Sequence, residues 1–392
     1  MAHQFNLSIK AWQFFSPTKI IIRPDAAKDV ALEVKALGGK RVMIITDPGI
    51  AKAGLVDDIH ASLTAARLQV DIFDQVEPEP PARVIDQAAA LARANNSDII
   101  IGLGGGSSLD TAKGASIMTT NSGKVLDYAG MELVPKRGLP KIMIPTTGSG
   151  SEVTRVFAPT DEDTRTKAVV YTNFNLAEVV ISDPRLAVTM PPDLAADTGI
   201  DALIAAIESF VSVNANPYSN LLALEAMRTI STYLPVVYAK AAHMEARQHI
   251  SLAAILANLA WQSAGLGAVH ALTYVLESEC NIRHARACSI MLPHVMLYNM
   301  IGNLKKFGQI AKAMGEKIDH LSDYEAAHKA ISAVKRLLET VNIPYKLSEY
   351  GVSHDHLPKL VDGALRQARL FVPNPRDLKA ADVRKIYQNA IG

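Results

Sequence analysis

A glycine run, Gly102-Leu-Gly-Gly-Gly-Ser-Ser-Leu-Asp110-Thr-Ala-Lys113, directly follows an apolar segment that reads as a strand. Gly104, Gly105 and Gly106 lack side chains, so their amides can close on a diphosphate. A helix starting there adds N–H donors and a positive dipole end. Ser107 and Ser108 offer two further donors. This is the chemistry of holding a nucleotide's phosphates. A bare strand-to-helix turn needs glycine too, but the position after a strand favours the binding role. Asp47, closing Ile-Ile-Thr-Asp, can accept a ribose 2′-hydroxyl and repel a 2′-phosphate, which favours NAD over NADP. It equally suits a helix N-cap in Asp-Pro-Gly. In the G-x-G-x-x-G fingerprint the glycines occupy the first βα turn and the acid follows roughly 20 residues later. Here the acidic strand end precedes the glycine loop. A second polar loop, Pro145-Thr-Thr-Gly-Ser-Gly-Ser-Glu-Val-Thr154, follows another strand-like run and brings the hydroxyls of Thr146 and Thr147. Alone it is only a polar turn; beside the first loop it suits cofactor binding.

The elements that must position these loops alternate. Arg41–Thr46, Val70–Phe73, Asp98–Leu103, Lys141–Ile144 and Val179–Ser182 read as strands, with helical stretches such as Asp57–Ala66 and Ala82–Asn95 between them. Short apolar runs separated by helices predict a parallel sheet covered on both faces. After Asp183-Pro184 the texture changes to long Ala/Leu/Ile-rich stretches. Asp197–Val213, Leu221–Tyr233, Ala246–Gln262 and Tyr324–Thr340 read as helices, and Pro191-Pro192 suits a helix entrance. The prediction is an α/β dinucleotide-binding domain over residues 1–188 and an all-helical domain over 189–392, as expected for a 392-residue chain too long for one ordinary core.

Bulk properties exclude several classes. Forty basic and thirty-nine acidic residues leave a formal charge of +1 with no like-charge block, which argues against a nucleic-acid footprint or a polybasic membrane patch. Two cysteines, Cys280 and Cys288, cannot build a disulfide framework or a cysteine-rich zinc module, and fit a reducing cytoplasm. The N-terminus shows no signal-peptide pattern. Ser251–Leu276 runs 26 residues without Asp, Glu, Lys or Arg. Its Asn258, Gln262, Ser263, Gly265, Gly267 and His270 make a poor lipid-facing surface, so a buried helix broken near the glycines is expected.

The two loops, in this order, resemble those of the iron-containing (group III) alcohol dehydrogenases. The resemblance continues through Asp183-Pro184, Met190-Pro191-Pro192, Thr198-Gly-Ile-Asp-Ala-Leu203 with Ile207-Glu208, and Gly265-Leu-Gly-Ala-Val-His270. It runs on through His284 and Leu292-Pro-His-Val295 to Asn374-Pro-Arg376. It spans almost the whole chain. It implies a dehydroquinate synthase-like fold, hydride transfer between NAD(P)(H) and a small alcohol or aldehyde, and a homodimer or larger assembly. By position it puts Asp47, Gly104, Gly105, Gly106, Ser107, Asp110, Thr146, Thr147, Lys167 and Leu186 at the nicotinamide nucleotide. Lys167, in Thr164-Arg-Thr-Lys-Ala168, reads by itself as an exposed surface lysine.

The resemblance also implies a metal held by an Asp, a His one turn later and two further histidines. Asp201, His270 and His284 match, but the second position is Ala205, which cannot bind a metal. Tyr274 stands where many members carry a histidine, and Glu79 where an Asn is common beside the cofactor. Two readings follow. Asp201, His270 and His284 still hold Fe²⁺ or Zn²⁺ in a two-His, one-carboxylate arrangement. Alternatively the site is metal-free, and His270, His284 or Tyr274 donates to the substrate oxygen. Arg283 and Arg286 flank His284 and match the geometry of an acid-bearing aldehyde, or else face solvent or an interface. The expected reaction is hydride transfer, with aldehyde reduction the favoured direction. A family-shaped oxidase or lyase and a silent nucleotide-binding protein are the alternatives.

Overall fold

The computed structural model describes residues 12–392 apart from Ser149 and Arg165. The N-terminal residues examined for a signal peptide, and Ser149 of the second polar loop, therefore lie outside the description. The first half builds a six-stranded sheet from β1 (Lys19–Ile22), β2 (Arg41–Ile45), β3 (Gln69–Phe73), β4 (Ile99–Gly104), β6 (Lys141–Pro145) and β11 (Val179–Ser182). The strand order is β1-β11-β6-β4-β2-β3, and every pairing is parallel. Short ribbons decorate it: β5 (Gly130–Met131) and β7 (Val156–Phe157) flank β10 (Val170–Tyr171), and β8 (Thr160–Asp161) pairs with β9 (Thr166–Lys167).

Alternation along the strands explains why both faces are covered. Met43, Ile45, Ile100, Met143 and Val180 point to one face, under α4 (Ala82–Ala94) and α5 (Gly106–Met118). Val42, Ile44, Ile99, Ile101, Ile142 and Ile181 point to the other, under α1 (Val30–Ala36) and α3 (Leu55–Ala65). Strands buried on both sides read as continuous apolar runs, which is how the sequence shows them. Within the six-stranded sheet the one strand not expected is β1, a four-residue Lys-Ile-Ile-Ile edge; the short ribbons were not expected either. The short α2 (Pro48–Lys52) begins at Asp47.

From Pro192 onward every described element is a helix. These are α6 (Pro192–Val211), α7 (Pro217–Ala239), α8 (Met244–Ala264), α9 (Ala268–Cys280), α10 (His284–Asn299), α11 (Leu304–Ala313), α12 (Asp323–Thr340), α13 (Leu357–Leu365) and α14 (Ala380–Ile391). They enclose a separate apolar core. Proline opens α6 and α7 at the first turn, where its missing N–H costs nothing. Helix α7 exceeds the expected Leu221–Tyr233 at both ends and continues past Pro235. The uncharged 26-residue stretch is the expected broken helix: α8 and α9 meet at 105° around Gly265–Gly267. Among the described residues, no single helix is long and apolar enough to cross a membrane. The chain is thus an N-terminal dinucleotide-binding domain with a parallel sheet plus an all-α domain.

Candidate functional site

The nucleotide-facing residues gather at the carboxyl ends of the central strands, where open α/β sheets bind their ligands. At the end of β4, Gly104 has φ 140°, and a Cβ there would lie 2.6 Å from Ser108 Oγ, so only glycine fits. Gly105 is the N-cap of α5 and makes no side-chain cap bond. The first-turn amides of α5 are donors without intrahelical partners, aimed at whatever lies beyond Gly106 and Ser107. Thr146, at the end of neighbouring β6, donates its amide to the Gly104 carbonyl at 2.9 Å. A Cβ at Gly105 would sit 3.5 Å from Thr147, so the two polar loops lie side by side. Leu186 follows β11 in the short 3-10 turn Pro184–Ala187, half-buried at the same edge.

Asp47 takes the helix-cap role open to it from the sequence and gains a second partner in Ser108. Its Oδ1 caps α2 by accepting from the Gly49 and Ile50 amides at 2.9 and 3.0 Å, while Oδ2 accepts from Ser108 Oγ at 3.1 Å. Asp110 faces the second loop: Oδ1 accepts from Ser151 Oγ at 2.5 Å and Oδ2 from the Ala158 amide at 3.0 Å. Its carboxylate therefore braces the loop. Beneath it, Lys113 is fully buried and donates to Ser151 Oγ, Thr154 Oγ1 and the Val156 carbonyl. Burial lowers the Lys113 ammonium to about 8 and raises the neighbouring Glu152 carboxyl to about 7, while each charge partly offsets the other's shift.

The second loop is where the halves touch. Gly148 lies against Ala254 of α8 and Thr198 of α6. Gly150 has φ 73°, and a Cβ there would fall 1.7 Å from Asn258 Nδ2. Thr198 is three residues before Asp201, so the nucleotide loop ends within a turn of the metal donors.

Four helix-borne groups converge there: Asp201 on α6, His270 on α9, and His284 and Cys288 on α10, with one ligand atom of each within 4.8 Å of all the others. Asp201 Oδ1 is buried with no hydrogen-bond partner, which is costly unless a cation takes it up. Each imidazole is held by a carboxylate on Nδ1, leaving Nε2 for the centre. His270 Nδ1 pairs with Glu208 Oε2 at 2.7 Å, and His284 Nδ1 with Glu277 Oε1 at 2.5 Å. Carboxylate–imidazole pairs of this kind fix the tautomer and orientation of metal-binding histidines. The donor set and the orphaned oxygen fit a divalent ion such as Fe²⁺ or Zn²⁺.

The three expected donors come together, and a fourth joins them. Ala205 is buried and contributes no donor, as expected. Cys288 Sγ supplies the fourth group from another helix, 3.8 Å from His284 Nε2. Its signal was the i, i+4 spacing from His284 on one helix face. Glu208 was also unassigned in the sequence. Besides His270, it accepts from the Gly267 and Val269 amides at 2.9 and 2.6 Å, capping α9.

Tyr274 lies one turn after His270, its ring stacked on His284 at 5.8 Å between centroids. Lys167 is not the exposed lysine its local sequence suggests. It is ion-paired to Glu79 on one side and lies 3.5 Å from Glu277 on the other. Burial pushes the Glu277 carboxyl up, but His284 and Lys167 outweigh it and hold the group below its ordinary value. The two arginines singled out for an acid-bearing substrate differ in their surroundings. Arg286 donates to buried Asp197 at 2.6 Å and to the Tyr350 hydroxyl, and Arg283 is exposed at the start of α10. An acid already occupies the Arg286 guanidinium.

A dinucleotide-binding sheet whose second loop packs on α6 within a turn of a carboxylate–imidazole–thiol centre defines a nicotinamide-linked, metal-assisted oxidoreductase. The models for "Iron-containing alcohol dehydrogenase" and "Fe-containing alcohol dehydrogenase family, C-terminal" match residues 17–184 and 195–391. The chain is 41% identical to long-chain-alcohol dehydrogenase 1 of Geobacillus thermodenitrificans over 91% of each chain. It is 36% identical to 1,3-propanediol dehydrogenase of Klebsiella pneumoniae over 98% of this chain and 100% of that one. A crystal structure of 1,3-propanediol oxidoreductase superposes with a TM-score of 0.94 at 36% identity, covering 97% of this chain and 100% of the other. The chain belongs to the iron-containing alcohol dehydrogenase family, as a divergent member with cysteine in place of one histidine ligand.

Proposed function

We propose that this chain is an NAD-preferring, metal-dependent reductase of small neutral aldehydes, reversible as an alcohol dehydrogenase. The observation that carries the proposal is the seating of the second loop against Thr198 of α6, three residues before Asp201, where the four donors converge. When bound, the nicotinamide supplies or accepts the hydride and the metal polarises the substrate oxygen. The amides of Gly104, Gly105, Gly106 and Ser107 receive the diphosphate at the α5 N-terminus. Asp47 accepts a ribose hydroxyl and repels a 2′-phosphate. Thr146, Thr147 and Leu186 line the same edge, Lys167 donates to the nucleotide, and Asp110 holds the loop that completes the cradle. Asp201, His270, His284 and Cys288 hold the ion. Tyr274, its ring stacked on His284, brings a phenol hydroxyl that would pass a proton to the substrate oxygen.

Neutrality of the substrate rests on Arg286, whose charge Asp197 already balances. Relatives named for long-chain alcohols and 1,3-propanediol are consistent with an uncharged chain, and a relative named sulfoacetaldehyde reductase makes the acid-bearing aldehyde the comparison substrate. The same proposal places the division of labour at residues 188/189, the protein in the cytoplasm, and the working form as a homodimer or larger assembly. The test is NADH oxidation by the purified holoenzyme against neutral and acid-bearing short aldehydes, before and after chelation. Turnover that falls with metal removal and returns with Zn²⁺ or Fe²⁺ supports the proposal. Turnover indifferent to chelation, or cofactor binding without turnover across the panel, overturns it.

A further inference from the structure

His270, Tyr274 and Glu277 follow one another at four- and three-residue spacing on α9, so they share one helix face. Glu277 uses its two oxygens differently. Oε1 takes the Nδ1 proton of His284 at 2.5 Å, while Oε2 lies 3.5 Å from Lys167 Nζ. Lys167 is not on a neighbouring helix but on β9, in the nucleotide domain, fixed by its pairing with Thr160 on β8. Thr160 is tied in turn to the loop bearing Glu79, through its amide to the Pro80 carbonyl and its hydroxyl to the Glu79 carbonyl. Glu79 holds the far side of the same ammonium. A row Glu79–Lys167–Glu277–His284 therefore runs from the nucleotide domain to a metal donor. Side-chain exposure falls along it from 52% at Glu79 to 24% at Lys167 and 15% at Glu277.

The geometry points to Glu277 as a positioning residue through which the nucleotide domain orients His284, so that nucleotide and metal bind cooperatively. An imidazole with Nδ1 pinned presents Nε2 in one direction only. The carboxylate that pins it is steered by an ammonium carried on the other domain. An ammonium has three N–H donors, more than its two carboxylate partners Glu79 and Glu277 require. The third can meet the nucleotide without releasing either carboxylate, so nucleotide binding fixes Lys167, Lys167 fixes Glu277, and Glu277 fixes His284. By linkage, the metal must then tighten the nucleotide by the same factor. The cooperative part rests on the nucleotide reading proposed above; the positioning of His284 does not.

The experiment is a Co²⁺ titration of the full-length apo protein, followed by cobalt absorption, with and without saturating NADH. Wild type, Glu277→Gln and Lys167→Met are compared, with thermal melts to establish folding. NADH is expected to tighten Co²⁺ binding by about fivefold or more in wild type, the lower end of typical couplings. Glu277→Gln should weaken Co²⁺ by about tenfold without nucleotide, as for other outer partners of a ligand histidine, and remove the NADH effect. Lys167→Met, on the other domain, should remove the NADH effect with a smaller loss of Co²⁺ affinity. The inference is overturned if Glu277→Gln changes Co²⁺ affinity by less than about twofold. It is also overturned if NADH binds, by its fluorescence, yet leaves wild-type Co²⁺ affinity unchanged or weaker. If NADH fails to bind wild type at all, the nucleotide reading falls, and the nucleotide-free Glu277→Gln titration still decides the positioning role.

Discussion

His270 and His284 are each held by a carboxylate on Nδ1, but the two carboxylates keep different company. Glu208 is deeply buried within the helical domain and spends its remaining capacity on the first amides of α9. Glu277 is less enclosed and shares its charge with Lys167 from the nucleotide domain. One pair is part of a helix's own construction; the other spans two domains. The same chemical pairing thus serves rigidity in one place and communication in the other, and what separates them is the partner of the second oxygen.

The comparison is sharpest in stability. Glu208→Ala strips the cap of α9 and the partner of His270 together. It should cost about 3–5 kcal/mol in denaturant unfolding, because three charge-assisted hydrogen bonds of a buried carboxylate are lost together. Glu277→Ala should cost about 1 kcal/mol, because solvent and Lys167 share its surroundings. Equal losses would erase the distinction drawn between them. Next in size is Cys288→Ala, expected to weaken Zn²⁺ by more than about 100-fold, beyond the loss typical of an outer partner. Adding Ala205→His should recover part of that affinity, measured by chelator competition, if the two positions serve one centre. If Cys288→Ala leaves Zn²⁺ affinity intact, the donor set is three-membered and both carboxylates act on a simpler site.

Two smaller effects belong to the nucleotide domain. Glu152 is a buried carboxyl with no ligand to serve, raised by burial from 4.5 to about 7. A raised carboxyl binds its proton more tightly in the folded state. Its contribution is therefore complete below the unfolded value near 4.5 and is lost as pH climbs through 7. Wild-type stability should fall by about 1–3 kcal/mol between pH 5 and 7, and Glu152→Gln should flatten that slope. Finally, Asp47→Ser should narrow the NADH-over-NADPH preference in kcat/KM by about tenfold, equivalent to the ~1.4 kcal/mol of one lost repulsion. An unchanged preference would leave Asp47 as a helix cap alone.

How much of this was legible in the chain depended on how local each signal is. The sheet was, because its strands bury both faces and read as unbroken apolar runs; only the short edge β1 escaped. The break at Gly265 and Gly267 was legible for the same reason, since glycine and the missing charges are local facts. Cys288 was not. Its i, i+4 spacing from His284 puts both on one face of α10, but only tertiary packing brings that face alongside Asp201 on α6. Lys167 was misjudged without the resemblance because its two acidic partners lie 88 residues upstream and 110 downstream. The partner of Arg286 was equally out of reach of a local reading, because Asp197 lies 89 residues away.

The cap that Glu208 places on α9 has a further consequence. The amides of Gly267 and Val269 are bonded to the same carboxylate that seats His270, so neither proton can reach solvent unless that carboxylate lets go. Their deuterium uptake is thus a clock for unseating the ligand, readable at two backbone positions without any metal probe or substrate.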